Sequence, residues 1–562
     1  MSKANNLQDF LTDVADAIRA KKGSTALINP QDFSAEIAAL SGGLEVIEMA
    51  ETTATIEPNK VYVWGMVESL NITLGASTNE SDFFAFRFRC SKPTMTVVTV
   101  NGATWADDTE LDAGGKPVLD LGSWYQCEIK GGTSALYARL AHYIPFEDSN
   151  VEAVLMSKGV GDGIGITYKD AAKVTTISTW FKSNADITSF DELKYFTGVT
   201  ALENSAFYGC SALKSITLPS SISSISYYAF KSCTVLEEVK NFENTSIEIL
   251  QDEIFRGTSL KSIVLPRTVT LINNNAFYGC SSLREIAFPE SLTKINNNAF
   301  YGCSSLREVV LKEGFTAFYR YNIFQNCTSL LYVKLPSTLK SNLTEGIFRG
   351  CTSLLKVEGL ENSQVPIIQG SAFYGCSSLT EIAFPASLTS IGNDAFYGCS
   401  ALTEIAFPAS LTSIGNSAFS KTVIYGEFTF ENLQTLGSRA FENTKVSKMK
   451  FPSLVSSEAS SDFEGIFSYC TNLVLVDIGD KCTTIKSNSF GRFVGTYGND
   501  ITFIIRAITP PELADTLIST QWVRAKIGVI YVPDESLEAY KTATNWSYYA
   551  DILKPLSEYT EK

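Results

Sequence analysis

The side chains that most often carry chemistry are scarce in one respect and regular in another. The 562-residue chain has a single histidine, His142, in the stretch LYARLAHYIP. One histidine cannot build a histidine-rich metal site. The twelve cysteines are ordered. Cys210, Cys233, Cys280, Cys303, Cys327, Cys351, Cys376 and Cys399 recur at one place in a repeated phrase, and Cys470 rejoins the series. None forms a C-x-x-C pair, so the spacing is not that of a zinc site. A free cysteine is a small, readily buried hydrophobe, and one per repeat reads as core filling. Replacing Cys376 by serine is then expected to cost about 1–3 kcal/mol, by burying a poorly paired hydroxyl. The glycine-rich stretch GVGDGIGI (159–166) lacks the Lys-Ser/Thr of a phosphate loop and the spacing of a dinucleotide turn, and reads as a flexible linker. No serine sits in a nucleophile motif. Neither a metal nor a cofactor is expected.

Carboxylates are plentiful, and two would suffice for glycoside hydrolysis. However, Glu285, Glu381 and Glu404 fall at equivalent repeat positions, which points to a surface and not to one special site. Most aromatic residues occupy expected core slots, and no unusual insertion breaks the array. The expectation is a protein that is not an enzyme.

What positions these side chains is a repeat. AFYGCSSLTEIAFPASLTSIGNDAFYGCSALTEIAFPASLTSIGNSAF (372–419) says nearly the same thing twice. Aligning on its AF or IF pair gives Phe207, Phe230, Phe255, Phe277, Phe300, Phe324, Phe348, Phe373, Phe396, Phe419, Phe441, Phe467 and Phe490, which mark thirteen coils. A period of this length means a solenoid. In one coil, Ile382 and Phe384 share a face of a short strand, Pro385 stops it, and Leu388 and Ile391 point inward. Asn393 is expected to cap one helical turn carrying Ala395 and Phe396, closed by Gly398. No single coil can bury its apolar groups, but stacked coils can, with strands in parallel about 4.8 Å apart.

The phrase AFYGCSSLTEIAFPASLTSIG resembles the BspA-like (Treponema-type) leucine-rich repeats over about 202–495. The ending VIYVPDESLEAYKTATNWSYYADILKPL is similar to the tail that often closes such arrays. It reads as a strand, then Asp534 capping a helix, with Tyr540, Trp546 and Tyr549 covering the last open core. The resemblance implies surface adhesins of anaerobes or tail proteins of phages and prophages from gut bacteria.

Composition fits this. Apolar residues make 45% and charged residues 19% of a chain too long for one core. A net charge of −15 is the wrong sign for nucleic-acid binding, and no apolar run reaches the roughly 18 residues of a membrane span. LQDFLTDVADAIRAKKG has acids where a secretory signal would carry an apolar core, and Met1 suggests a native start. Residues 1–43 read as two helices. Leu7, Phe10, Val14 and Ile18 form a stripe suited to assembly with another chain or an oligomer. Residues 44–145 alternate like the strands of a small β-sandwich. FFAFRFRC puts Phe84, Phe86, Phe88 and Cys90 on one face. LQDFLTDVADAIRAKKGSTALINPQDFSAEI and IEPNKVYVWGMVESLNITL resemble parts of phage tail-associated proteins.

The expected fold is multidomain and mainly β. A helix pair (1–43) precedes a sandwich (44–145), a linker and N-terminal cap (146–200), a leucine-rich-repeat solenoid with short parallel strands (201–500) and a C-terminal α/β cap (501–562). The resemblance implies a tail fibre or tail-tip receptor-binding protein of a virion, made in the bacterial cytoplasm. Its N-terminus would dock on a tail or baseplate protein, and its repeats would recognise a host surface protein or polysaccharide. A trimer is expected by analogy. The alternative is a bacterial cell-surface adhesin, and the third reading is a capsule depolymerase. Binding is expected on the outward positions of the strand ladder, centred on Tyr332, Lys334, Lys356, Glu358 and Glu308, because Tyr332 is the only aromatic residue among those positions.

Overall fold

The structure is a computed structural model. It describes residues 45–49, 53–57, 60–67, 69–74, 83–90, 97–101, 104–105, 124–131, 136–161, 165–457, 465–486, 489–490, 500–514, 517 and 527–561. The helix pair expected over 1–43, with its stripe of Leu7, Phe10, Val14 and Ile18, lies outside them. The chain divides into two compact units, residues 1–222 with 239–241, and residues 223–238 with 242–562.

In the first unit, strands β1 (Glu45–Met49), β3 (Lys60–Val67), β5 (Phe83–Cys90), β7 (Thr104–Trp105), β8 (Trp124–Gly131) and β9 (Leu136–Tyr143) share one sheet. Strands β2 (Thr53–Ile56), β4 (Ser69–Leu74) and β6 (Val97–Asn101) make a second. From β1 to β6 successive strands alternate between the sheets. Each return therefore runs the same way, and β1–β3–β5 and β2–β4–β6 pair in parallel. Only β5–β8–β9 is antiparallel. Phe86 sits opposite Cys127, and both are fully buried.

Two short helices follow, α1 (Ser149–Ser157) and α2 (Tyr168–Lys173). Asp148 caps α1 by accepting from the Asn150 N–H, and Thr167 caps α2 by accepting from the Asp170 N–H. Val160 and Ile166, at the ends of the described glycine-rich stretch, are buried, as are Val151, Leu155 and Phe181.

The second unit is a parallel β-solenoid. A typical coil contributes a short strand whose middle residue is the most buried, such as Glu381–Ala383, and a two-residue strand, such as Ser390–Ile391. In both rows the partner strands run parallel and in register. The aromatic rings marking the coils stack from Phe230 to Phe490, centroid to centroid 5.0 Å at Phe373–Phe396 and 6.3 Å at Phe467–Phe490.

The turn around each phenylalanine is not the helical turn expected from sequence. Two residues before the ring the backbone is left-handed, at Asn275 (φ 55), Asn298 (φ 50) and Asp394 (φ 54); two residues after it the same holds at Gly279, Gly302 and Gly398. These paired kinks aim the intervening N–H along the stack. The Phe277 N–H donates to the Ala299 carbonyl, and the Phe396 N–H to the Ala418 carbonyl. An α-helical turn would turn that donor inward, toward its own coil. Asn393 accordingly caps no helix. Its side chain accepts from the N–H of Asn416 in the next coil.

The parallel ladder does not stop at Phe490. Ile501–Ile505 and Ile527–Val532 continue one row, and Leu553–Pro555 closes it. Between the last two lies α3 (Leu537–Thr542). Asp534 does not cap it. Its carboxylate accepts from the Ser557 N–H and ties this segment back onto the turn before α3; the Ser557 hydroxyl first, and then its N–H, hold the Asp534 pKa below the usual value.

Candidate functional site

Strand periodicity puts the expected binding residues side by side. Glu308–Val310, Tyr332–Lys334 and Lys356–Glu358 pair in parallel, so Glu308, Tyr332 and Lys356 form one row and Lys334 and Glu358 sit in the next. Val309, Val333 and Val357 point inward and are buried. Tyr332 is half-buried because its hydroxyl donates to Glu358 Oε2 at 2.5 Å, across the strand. That hydrogen bond, with desolvation adding to it, pushes the phenol up to about 12. Lys334 Nζ approaches the same carboxylate at 3.2 Å, and Lys356 reaches Glu381 at 4.0 Å. Exposed pairs of this kind add little stability. Their effect is to hold a small polar, aromatic and cationic patch in one geometry.

The cysteine slot is structural. From Cys280 to Cys399, and again at Cys470, the thiol donates to the carbonyl of the marker phenylalanine one coil earlier. Cys303 reaches Phe277 O at 3.2 Å, Cys376 reaches Phe348 O at 3.2 Å and Cys399 reaches Phe373 O at 3.1 Å. All are buried and free of disulfides. Burial pushes Cys280 up to about 11 and Cys351 and Cys399 up to about 12. Where the cysteine is missing, Thr258, Thr422 and Thr444 fill the same slot, and each hydroxyl donates to the phenylalanine carbonyl of its own coil. A hydroxyl there is therefore paired, and the cost expected for Cys376→Ser through an unpaired hydroxyl does not apply. Because the thiolate is the reactive form, iodoacetamide at pH 8 should leave these cysteines unmodified in folded protein and label them after denaturation. Rapid labelling of most of them without denaturant would contradict the ladder.

Two surface features were not anticipated. Tyrosines also stack outside the core. Tyr278 lies on Tyr301 at 4.7 Å and Tyr374 on Tyr397 at 4.9 Å. Arg256 covers the first pair and Arg349 the second. The signal was present in the repeated FYG, whose second aromatic residue follows the buried one and so leaves the core.

The second feature is a single extra residue within one coil. Ile295 pairs with Phe318, yet the next marker comes five residues later in one coil (Phe300) and six in the other (Phe324). The extra residue makes Arg320 left-handed (φ 66) and leaves Tyr319 and Tyr321 exposed. Beside this bulge lies a polar groove of about 510 Å³, lined by Asp252, Asn274, Asn275, Asn296, Asn297, Tyr319 and Arg320. Among the described residues no three acidic, histidine or cysteine side chains are grouped to hold a metal ion.

Comparison with known proteins agrees with the coil geometry. The BspA type leucine-rich repeat region matches the chain over 175–250, 248–365, 345–466 and 456–495. No curated protein matches it. Among solved structures, a leucine-rich repeat protein from Bacteroides ovatus is 28% identical with a TM-score of 0.39; the match covers 50% of this chain and 64% of that one, less than two thirds of its length. A leucine-rich cell surface protein from Faecalibacterium prausnitzii is 25% identical with a TM-score of 0.30, covering 47% of this chain and 78% of that one. The leucine-rich repeat protein of T. pallidum is 30% identical with a TM-score of 0.25, covering 33% and 72%. The family match spans more than half of the residues and falls on the coils whose phenylalanine, cysteine and strand slots are described above; this chain belongs to the BspA-type leucine-rich repeat family.

Proposed function

We propose that the protein is a non-enzymatic recognition protein whose repeats bind a bacterial surface. The observation that supports this reading is the division of labour within each coil. Inward positions are held to Ile, Val, Phe and Cys by packing, whereas the flanking outward positions differ from coil to coil and lie in register. Parallel stacking makes them one extended surface, the form repeat proteins use for large partners. The N-terminal sequences resembling phage tail-associated proteins favour presentation on a virion tail, with residues 1–43 docking to the particle or to further copies of the chain. The second reading, a bacterial cell-surface adhesin, is favoured by family membership and by the cell surface protein among the similar structures.

The strand-ladder patch gives the test. Tyr332→Ala combined with Lys334→Glu removes the aromatic surface, breaks the cross-strand hydrogen bond to Glu358 and reverses a charge. Binding of the protein to host envelope should fall at least tenfold, about 1.4 kcal/mol, with little change in melting temperature because neither side chain is in the core. A folded double variant that binds as well as the parent moves the binding surface elsewhere. Finding the protein in purified phage particles, or on intact bacterial cells, separates the two carriers.

A further inference from the structure

The geometry points to the groove beside the Tyr319 bulge as a saccharide-binding site, which deepens the surface-recognition reading and rests on it for its biological meaning. The groove occurs where the repeat departs from its own rule. Four residues before the marker phenylalanine, the later coils carry glycine at Gly392, Gly415 and Gly437. There the backbones are so close that an added Cβ would lie within 2.7 Å of the preceding coil's backbone. The equivalent positions in the groove coils, whose N–H groups likewise donate to the strand residue of the coil before, are Asn273, Asn296 and Tyr319, with Arg320 the extra residue beside them. Side chains therefore occupy space that backbone fills elsewhere.

Those side chains are already ordered. Asn296 Nδ2 donates to Asn273 Oδ1 at 2.9 Å, and the Asn274 amide and backbone N–H both donate to Asp252. Asn297 buries its Oδ1 without a hydrogen-bond partner, and rotation of its amide would present that acceptor to a ligand hydroxyl. At one end the Tyr319 ring is 47% exposed, with Lys294 Nζ 5.5 Å above it. Arg320 makes no ion pair among the described residues.

This is the chemistry of sugar recognition. Amides and a carboxylate offer paired donors and acceptors for vicinal hydroxyls, a tyrosine ring offers a face for C–H groups, and an unpaired guanidinium suits a carboxylate on an acidic sugar. The volume falls in the range of about 300–1,000 Å³ typical of small-ligand sites. The polar lining does not suit an apolar ligand, and the single carboxylate, already engaged by Asn274, does not suit a divalent cation.

The test uses the whole protein in calorimetric titrations with tetrasaccharides of neutral hexose, N-acetylhexosamine and hexuronate. At least one should bind. Tyr319→Ala should weaken it at least tenfold, and Arg320→Ala should weaken the uronate selectively. Tyr425→Ala, which removes a somewhat more exposed tyrosine in a distant coil, should change nothing. Both groove side chains are exposed, so melting temperatures should match the parent. Binding of no probe, or equal binding by all variants, overturns the site. The same proteins are assayed on host envelope. Envelope binding that persists in a parent taking up no probe discards the groove alone. Absence of envelope binding by the parent discards the recognition reading itself, whatever the titrations show.

Discussion

Phe373→Ala should destabilise the solenoid by about 4 kcal/mol, within the range of full aromatic truncations in a core. Phe373 is completely buried and its ring stacks on Phe348 at 5.4 Å and on Phe396 at 5.0 Å. Alanine keeps every backbone hydrogen bond of this position. The N–H still donates to Ala395 O, and the carbonyl still accepts from the Cys399 thiol. What is lost is the ring alone. The neighbouring coils cannot close over the gap, because strands on either side hold them in register. Phe373→Leu should cost much less, about 1–1.5 kcal/mol, since most of the volume remains. Urea unfolding monitored by far-UV circular dichroism measures both. A loss below 1 kcal/mol for the alanine variant would mean that the stacked column is not a main source of cohesion.

The column, the cysteine slot and the alternation of the strands were legible in the sequence because each is a demand repeated in every coil. A residue that must be buried in the same place many times leaves a periodic mark, and thirteen phenylalanines make one that local composition cannot hide. The turn between strand and phenylalanine was misread for a physical reason. Asn before a short apolar pair followed by Gly is the signature of a capped helical turn, but it is equally that of two left-handed residues. Asn298 and Gly302 choose the second because their coil has neighbours to which the Phe300 N–H can donate. That is a tertiary effect which no single coil encodes.

The candidate surfaces were legible to different degrees. Tyr332, Lys334 and Glu358 follow from a period of two, so their rows could be written down in advance; their mutual hydrogen bonding could not, because it depends on rotamers reaching between coils. The groove escaped notice because it comes from one extra residue between Phe318 and Phe324. In the sequence that residue only lengthens a coil spacing within the range seen elsewhere. In three dimensions it pushes Tyr319 and Arg320 out beside a row of amides. The substitution of Asn for Gly at Asn273 and Asn296 was the readable signal, and it becomes meaningful once glycine at that position is known to mark backbone contact.

Trp546→Ala should be as damaging as loss of a ring from the column, about 4 kcal/mol, but the damage should appear in a different place. Trp546 is fully buried at the C-terminal end of the ladder, edge-on to Tyr540 at 5.0 Å. Its indole N–H donates to Pro511 O at 2.8 Å, and the Tyr540 hydroxyl donates to Ala507 O at 2.7 Å. The two rings therefore fasten α3 and the segment after it to the loop that follows Ile501–Ile505. Alanine would open a cavity and also leave the Pro511 carbonyl without its donor, a penalty that an apolar cavity alone does not carry. Coils contact only their neighbours, so a solenoid can lose its end without losing its middle. Hydrogen exchange read by mass spectrometry should accordingly show faster exchange in Ile527–Val532 and Leu553–Pro555, while Lys294–Ile295 and Ser390–Ile391 keep their protection. Trp546→Phe, which fills most of the space but lacks the N–H, should lie between parent and alanine variant. Uniform loss of protection along the array would show that it unfolds as one cooperative block. Unchanged exchange at the C-terminal strands would show that the Trp546 cluster does not hold the end closed.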